Sequence, residues 1–301
     1  MIHRETTDRR AAGRFALLAA ALLWGTSFVI LKNTLESVGT LWILAVRFTL
    51  AALLLGFFAG KRLARLSRRE RKGGVLLGLC LAAAYITQTY GLKYTTPGKN
   101  AFLTAVYCVL VPFLAWGVYR RKPMLRHVLA ALLCLVGIGF VSLSDLESGL
   151  NRGDMLTLFC GVFYALQIVI VEHYGGEDGD ALSLSAIQFA VAALVCWAGA
   201  LPLEPVPVGV PVGAWLNIAY MGFVCTGLCF FLEAWGMKYT PSSTAAVLLT
   251  LESVFGTLTS VIFYHEQLTA KLLIGFALIF FSVLLSETGF QFKKENERLS
   301  A

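Results

Sequence analysis

The sequence predicts an all-α polytopic membrane protein with ten transmembrane helices, arranged as two inverted repeats of five. Three observations support this fold class. The chain is 57% hydrophobic and only 14% charged, whereas about a quarter of the residues in a soluble domain are charged. Its apolar residues gather in runs of roughly 20, which is the length that a helix needs to cross a bilayer. The second half of the chain also repeats the first, and an odd number of segments in each copy inverts the second copy in the membrane.

The ten apolar segments can be placed in order along the chain. Their approximate ranges are 15–35, 40–60, 74–92, 100–119, 125–144, 154–172, 182–201, 214–236, 242–264 and 270–288. The first segment is too long for the apolar core of a secretory signal peptide and nine more follow it, so we interpret it as a membrane helix. The two repeats are assigned to 15–145 and 154–288, flanked by polar tails at 1–14 and 289–301.

Short matching motifs reveal the repeat. The stretch Gly91–Thr95 reads GLKYT at the end of the third segment, and Gly236–Thr240 reads GMKYT at the end of the eighth. Polar positions match as well, at offsets of 140 to 145: Lys32 with Glu172, Gln88 with Glu233, and Arg121 with Glu266. Inverted repeats of this kind are typical of secondary transporters, whose substrate site lies near the bilayer midplane between the two halves.

Basic residues mark one side of the predicted membrane. Most of the 25 Lys and Arg residues fall in the segments that lie on the same side as the two tails, with a dense run at 61–72. The positive-inside rule therefore places both termini in the cytoplasm and the chain in the inner membrane. Anionic lipid headgroups explain such a run, so the net charge of +7 is not taken to indicate a nucleic-acid partner.

Sequence motifs for catalysis, cofactor binding and metal binding are missing. All seven cysteines lie inside apolar segments, where Cys behaves as a small hydrophobe, and neither a CxxC pair nor a Cys/His cluster with zinc spacing occurs. Gly98 and Lys99 lack the spacing of a phosphate loop, and the chain has no HExxH or GxSxG motif. We therefore expect a protein that is not an enzyme and that has no cofactor and no metal site.

Several motifs occur in a fixed order along the two repeats. Leu22–Phe28 reads LLWGTSF in the first segment and Arg47 precedes Phe48 in the second; Leu251–Val254 reads LESV and His265–Thr269 reads HEQLT in the second repeat. Together with the GLKYT and GMKYT linkers, these motifs resemble the drug/metabolite transporter superfamily, in particular its ten-helix EamA type. The resemblance covers nearly the whole chain, and it implies a transporter that exports small organic metabolites or drugs.

Two glutamates inside predicted segments are the main candidates for a site. An ionisable group at the centre of a bilayer costs about 2.5–3.5 kcal/mol, so such residues are rare and usually face the interior of the bundle. Glu252 lies near the middle of the ninth segment, where it could bind a proton or a substrate, or act as a structural hydrogen-bond acceptor. Glu233 lies near the cytoplasmic end of the eighth segment, where it could form a snorkelling pair with Lys238 or a gate.

The remaining candidates depend partly on the resemblance. Arg47 is the only cation well inside a segment; it could pair with a carboxylate or bind an anion, but the resemblance implies a structural role because the second and seventh helices of the family stand outside the cavity. The resemblance also implies that helices 1, 3, 4, 6, 8 and 9 surround that cavity. Candidates on these helices, each of which could instead serve only packing or capping, are Trp24, Tyr85, Gln88, Asn100, Tyr107, Tyr164 and Gln167.

Taken together, the sequence predicts a secondary active transporter that exports a small organic molecule across the lipid bilayer. Helices 3 and 4 would rock against helices 8 and 9, with protons coupled through Glu252. Two alternatives remain open. An anion exchanger would need several cations facing the cavity, and a non-transporting membrane sensor would be expected to carry an added soluble domain. The oligomeric state does not follow from the sequence.

Overall fold

The computed structural model describes residues 2–120, 122–142, 151–174, 181–240 and 242–299, and these residues are helical almost throughout. The ten main helices are α1 (Ile2–Thr34), α2 (Thr40–Ala59), α3 (Arg68–Tyr94), α4 (Pro97–Tyr119), α5 (Leu125–Ser142), α6 (Arg152–Tyr174), α7 (Ala181–Leu203), α8 (Val212–Tyr239), α9 (Ser242–Tyr264) and α10 (Ala270–Leu299). Within the described residues, eight helices are long and apolar enough to cross a membrane, and α5 and α10 provide shorter apolar helices, Leu125–Val141 and Ala270–Ser286. The predicted fold class is confirmed, with one helix for each predicted segment.

Three helices begin or end beyond the apolar runs that predicted them. Helix α1 begins at Ile2 and α10 continues to Leu299, because the polar residues there are mostly good helix formers and include no proline. Helix α3 begins at Arg68 rather than near 74. A capping box explains this start: the hydroxyl of Ser67 accepts from the Glu70 N–H at 3.2 Å, and the Glu70 carboxylate accepts from the Ser67 N–H at 2.7 Å.

The contacts between helices show that the two repeats are related by a pseudo-two-fold axis. Helix α1 packs against α8 and α9, and α6 packs against α3 and α4, which is the same arrangement with the repeats exchanged. Helix α3 also contacts α7, and its counterpart α8 contacts α2, which is the counterpart of α7. The pairs α2 with α7, α4 with α9 and α5 with α10 each join a helix to its own counterpart. This exchange of contacts is the arrangement expected of an inverted-repeat transporter fold.

Glycines at equivalent positions bring helices together at opposite ends of the bundle. A Cβ atom added to Gly153 on α6 would lie 2.5 Å from the carbonyl oxygen of Gly91 on α3. A Cβ atom added to the equivalent Gly13 on α1 would lie 2.9 Å from the hydroxyl oxygen of Thr240 and 3.2 Å from the carbonyl oxygen of Gly236. Backbones can approach this closely only where a side chain is missing. These two equivalent contacts each join one repeat to the other, and they lie at opposite ends of the bundle.

Candidate functional site

Two equivalent aromatic pairs lie at the centre of the bundle. Tyr85 on α3 and Tyr164 on α6 meet edge to face, with ring centroids 5.7 Å apart. Phe230 on α8 and Trp24 on α1 meet in the same way at 5.5 Å. Trp24 is equivalent to Tyr164 at an offset of 140, and Tyr85 is equivalent to Phe230 at an offset of 145. Edge-to-face contacts fix ring orientation, so the two repeats present a matched aromatic pair to the same region.

Three further rings connect these pairs. Phe48 on α2 and its equivalent Phe189 on α7 are fully buried and lie 5.9 Å apart. Phe48 meets Tyr85 at 5.1 Å, while Phe189 meets Phe230 at 4.8 Å. Another aromatic candidate from the sequence, Tyr107, lies 5.8 Å from the Tyr164 ring. These contacts join Trp24, Tyr85, Tyr107 and Tyr164 into one aromatic cluster. That these rings line a substrate cavity stays a prediction.

In the first repeat, the polar residues of this centre form a continuous hydrogen-bond network. The hydroxyl of Tyr164 donates to the Gln88 side-chain oxygen at 3.1 Å, and the Gln88 amide donates to the Thr104 hydroxyl at 2.9 Å. Thr104 donates in turn to the backbone carbonyl of Asn100 at 2.7 Å. The Asn100 amide donates to the hydroxyl of Thr157 at 2.7 Å. These bonds tie α3, α4 and α6 together, so the buried polar groups of this half are largely satisfied.

In the second repeat, two glutamates that form no hydrogen bond to another described residue stand in place of this network. Glu233 occupies the position equivalent to Gln88, while Leu249 and Ala245 stand where the first repeat has a threonine and an asparagine. The hydrogen-bond network therefore has no counterpart here. Among the described residues Glu233 makes no hydrogen bond or ion pair, and its side chain keeps part of its surface accessible.

Glu252 is the second of these two glutamates in the second repeat. It occupies the position on α9 that is equivalent to Tyr107 on α4. Its side chain is half-buried and makes no hydrogen bond with any other residue in the described ranges. Its carboxylate lies close enough to Glu233 and to Arg47 to interact electrostatically with both. The charges of Glu233 and Arg47 therefore both act on Glu252.

Arg47 lies deeper in the bundle than the sequence indicated. Its side chain is 2% exposed, its Nε donates to the hydroxyl of Thr226 on α8 at 2.7 Å, and its guanidinium stands 5.0 Å from the ring centroid of Tyr85. These contacts support a structural role for Arg47 in holding helices together, and that role stays a prediction. They also hold the positive charge between α2, α3 and α8, where it can act on Glu252.

A π-helical segment of α8, Met221–Leu228, shapes this side of the site. Its wider turn lets Thr226 donate to the carbonyl of Met221 at 2.8 Å, and the indole N–H of Trp24 donates to the carbonyl of Cys225 at 2.6 Å. Short π-helical segments occur often at functional sites. The sequence carries no signal for this segment, because no residue type by itself indicates i to i−5 hydrogen bonding.

Gln167 forms its hydrogen bond outside the network of Tyr164, Gln88, Thr104 and Asn100. Its amide donates to the side-chain oxygen of Gln188 on α7 at 3.3 Å. Gln188 is buried and occupies the position equivalent to Arg47. This bond ties α6 to α7, beside the aromatic centre rather than within its hydrogen-bond network.

Thr226→Val is expected to lower the stability of the protein, because the buried Nε of Arg47 would lose its acceptor. Leaving a buried charged donor unsatisfied costs about 1–3 kcal/mol or more. Thr89→Val is a matched control, since the hydroxyl of Thr89 is buried without a hydrogen-bond partner among the described residues and its removal should change little. Thermal unfolding of both variants in detergent tests the difference, and equal unfolding temperatures would contradict the role given to Thr226.

A separate cavity of about 480 Å³ opens at the end of the bundle where α3 ends and α4 begins. Its charged lining consists of Lys32, Lys93, Lys99, Glu266 and the nearby His265. None of the predicted site residues lines this cavity. The sequence did contain a signal for it, since Lys32 and Glu266 are both positions at which the two repeats carry opposite charges. Within the described ranges, no group of three or more His, Cys, Asp or Glu residues could hold a metal ion.

Comparison with known proteins shows which family this sequence matches. The sequence model of the EamA-like transporter family matches residues 11–143 and again residues 151–288. An Archaeoglobus fulgidus protein named "Uncharacterized transporter" is 33% identical over 277 residues, which cover 92% of this chain and 86% of the relative. The uncharacterized transporter YyaM of Bacillus subtilis is 24% identical over 94% of this chain and 95% of its own. A crystal structure with 18% identity superposes with a TM-score of 0.66 over 91% of this chain and 96% of the other, a likeness of fold alone.

Proposed function

We propose that this chain, which belongs to the EamA-like transporter family, is a secondary active transporter that exports a small organic molecule in exchange for protons. Membership of the family identifies a multi-pass membrane transporter. The export direction, the substrate class and the use of protons go beyond family membership and are proposed here. The observation that carries it is the pair of glutamates, Glu233 and Glu252, that lie at the centre of the bundle without hydrogen bonds to other described residues.

Electrostatics supports proton coupling at this pair. Two carboxylates close together in a medium of low dielectric constant repel each other, so the binding of a proton or another positive group to the pair is favourable. The guanidinium of Arg47 offsets part of that repulsion, but it is also held by Thr226 and the face of Tyr85. Glu252 interacts with both charged neighbours, and we therefore assign the coupling role to Glu252.

The same charges favour a substrate that carries an amine or another cationic group. Aromatic faces attract cations at a desolvated site with about 2 kcal/mol or more, and the rings of Trp24 and Tyr164 stand on either side of the centre. An anion exchanger would need an excess of cations at this position. The structure gathers lysines at the cavity beside the end of α3 instead, so the centre favours the cationic class.

Alternating access has a structural basis in the two glycine contacts. The contact of Gly153 with Gly91 closes α3 on α6 at one end of the bundle, and the contact of Gly13 with Gly236 closes α1 on α8 at the other. A transporter of two inverted repeats opens one such end while the other stays closed. The distribution of basic residues predicts that the α1–α8 contact faces the cytoplasm, which sets the direction of loading for export.

A flux assay with purified protein in liposomes tests this function. Amines, polyamines, cationic dyes, amino acids, nucleosides and organic anions are each supplied with and without an imposed pH gradient. We expect flux of amine-bearing or cationic compounds that increases when protons can move in the opposite direction. Flux restricted to anions and independent of pH would favour the exchanger, and binding without flux by folded, inserted protein would favour the sensor.

A further inference from the structure

The turn between α3 and α4 is held by a lysine from another helix. The ammonium group of Lys32 on α1 donates to the carbonyl oxygens of Leu92, Lys93 and Thr95 at 2.6, 3.1 and 2.9 Å. These three bonds use every hydrogen of the ammonium group. The last carbonyl groups of a helix have no partner within the helix and carry partial negative charge, so a cation is favourable there. Lys32 thus fixes the end of α3 against α1.

A glutamate holds the other side of the same turn. Glu266, in the loop between α9 and α10, accepts hydrogen bonds from the hydroxyls of Thr96 and Ser260, and from the N–H of Gly98 at 3.0 Å. Bonds to a charged acceptor are roughly twice as strong as bonds between neutral groups. A Cβ atom at Gly98 would lie 2.5 Å from the Glu266 carboxylate, so only glycine leaves room for this contact. Glu266 thus fixes the start of α4 against α9.

An aspartate on α6 also binds the turn between α3 and α4. Asp154, at the start of α6, accepts from the hydroxyl of Thr95 at 2.5 Å and from the backbone N–H of Asn151 at 3.2 Å. We call the three side chains Lys32, Asp154 and Glu266 the clasp. The clasp connects the α3–α4 turn to α1, α6 and α9, and it lies beside the 480 Å³ cavity.

The opposite end of the bundle has an equivalent turn between α8 and α9. The equivalence is geometric as well as sequential, since Gly153 lies against Tyr94 and Thr95, and Gly13 lies against the matching Tyr239 and Thr240. In the sequence, the three positions equivalent to the clasp carry the opposite charge; Arg121 among them lies outside the described residues. The residues equivalent to Lys32, Asp154 and Glu266 are Glu172, Arg14 and Arg121. An arginine cannot accept a hydrogen bond and a carboxylate cannot donate to carbonyl oxygens, so this end cannot form the same bonds.

A buried hydroxyl supports this conclusion independently. Thr95 donates to Asp154, but the equivalent hydroxyl of Thr240 is buried and has no hydrogen-bond partner among the described residues. The neighbouring Arg14 is exposed and offers no acceptor. A buried hydroxyl without a partner is unfavourable. Among the described residues, the α8–α9 turn therefore lacks the side-chain hydrogen bonds that hold the α3–α4 turn.

We propose that the clasp is a gate that sets the resting state of the transporter, with the α3–α4 end closed and the α8–α9 end the easier one to open. The clasp bonds connect elements that must separate when the α3–α4 end opens, so they break and re-form in each cycle. This proposal rests on the proposed function, because it assumes alternating access. With both termini in the cytoplasm, the closed end faces outward, and the resting transporter is loaded from the cytoplasm as export requires.

Distances between two spin labels across the gate test the proposal. The labels are attached at Tyr94→Cys and Gln267→Cys, which are exposed positions on the α3–α4 side and in the α9–α10 loop, in full-length protein whose seven native cysteines are replaced. In nanodiscs we expect one short-distance population for this parent. Lys32→Met removes three such bonds and Glu266→Gln removes the charge of the acceptor, so each should lower the ratio of closed to open protein by about tenfold or more, tenfold being roughly the factor for one charge-assisted hydrogen bond. An unchanged distance distribution in both variants would overturn the proposal.

A variant at the opposite end separates gating from damage to the fold. Arg14→Asp supplies the acceptor that Thr240 lacks, so it should stabilise closure of the α8–α9 end and lengthen the distance across the α3–α4 gate. Arg10→Asp makes the same charge change at an exposed position nearby and should leave the distance unchanged. Equal distances in the two variants would contradict the proposal. If the distances shift as expected while no compound is transported, the clasp stands and the proposed function fails.

Discussion

Replacing Glu252 by glutamine is expected to abolish the dependence of transport on the proton gradient. Glutamine keeps the size of the side chain but cannot gain or lose a proton, so the exchange of a proton for substrate at α9 would stop. The substrate should still move down its own gradient, although more slowly, because Glu233 and the aromatic rings of Trp24 and Tyr164 remain to bind a cationic group while the charge of Glu252 is lost. The expected loss is the whole gradient-driven part of the flux, which makes this the largest effect that we predict on transport.

The matched control for this variant is Glu36→Gln. Glu36 lies exposed after the end of α1, where its charge acts on Lys32 of the clasp, so its replacement makes the same chemical change away from Glu233 and Glu252; interactions of exposed charges are weak. We expect its gradient-driven flux to equal that of the parent protein. Flux into liposomes with and without an imposed pH gradient measures both variants. If Glu252→Gln transports in response to the gradient as the parent does, Glu252 is not the coupling residue.

Replacing Gly153 by valine is expected to have the largest effect on stability and on closure of the α3–α4 end. A Cβ atom at this position would lie 2.5 Å from the Gly91 carbonyl oxygen, 2.7 Å from the carbonyl carbon of Tyr94 and 2.8 Å from the backbone nitrogen of Thr95. All three are backbone atoms, which cannot rotate away as a side chain can. Overpacking of this kind typically costs about 1–3 kcal/mol, and α3 would be forced away from α6.

Gly139→Val provides the comparison for this prediction. Gly139 lies within α5, and a Cβ atom there would have no atom within 4 Å. The two variants therefore share the change in helix propensity and differ in steric contact. Thermal unfolding of the purified proteins should show a clearly lower transition temperature for Gly153→Val alone. Similar transition temperatures for the two variants would mean that α3 and α6 are not packed as closely as described.

Much of the fold could be predicted because its signals are local or periodic. Runs of apolar residues marked all ten helices, and the offsets of 140 and 145 gave the equivalence of Lys32 with Glu172 and of Gln88 with Glu233. The helix boundaries were less well predicted, since polar but helix-forming residues extend α1 and α10 beyond the apolar runs. The start of α3 had a readable signal in the capping box of Ser67 and Glu70 that the prediction did not use.

The arrangement of the candidate site could not be predicted from the sequence, and the roles of its residues stay predictions. The sequence indicated that Glu233 and Glu252 are important, but their proximity to each other and to Arg47 depends on how α2, α8 and α9 pack. The π-helical segment of α8 depends on the same packing and has no sequence signature. The clasp escaped prediction because Lys32, Asp154 and Glu266 are far apart in the chain, and only the folded turn between α3 and α4 brings them together.

Proton movement driven by substrate tests the central claim most directly. Purified protein is reconstituted in liposomes that contain a pH-sensitive dye, and a transported compound is added without any imposed pH gradient. Coupled exchange predicts that the substrate gradient alone drives protons in the opposite direction, and that Glu252→Gln transports the compound without changing the internal pH. Transport by the parent protein with no change in internal pH would contradict the account.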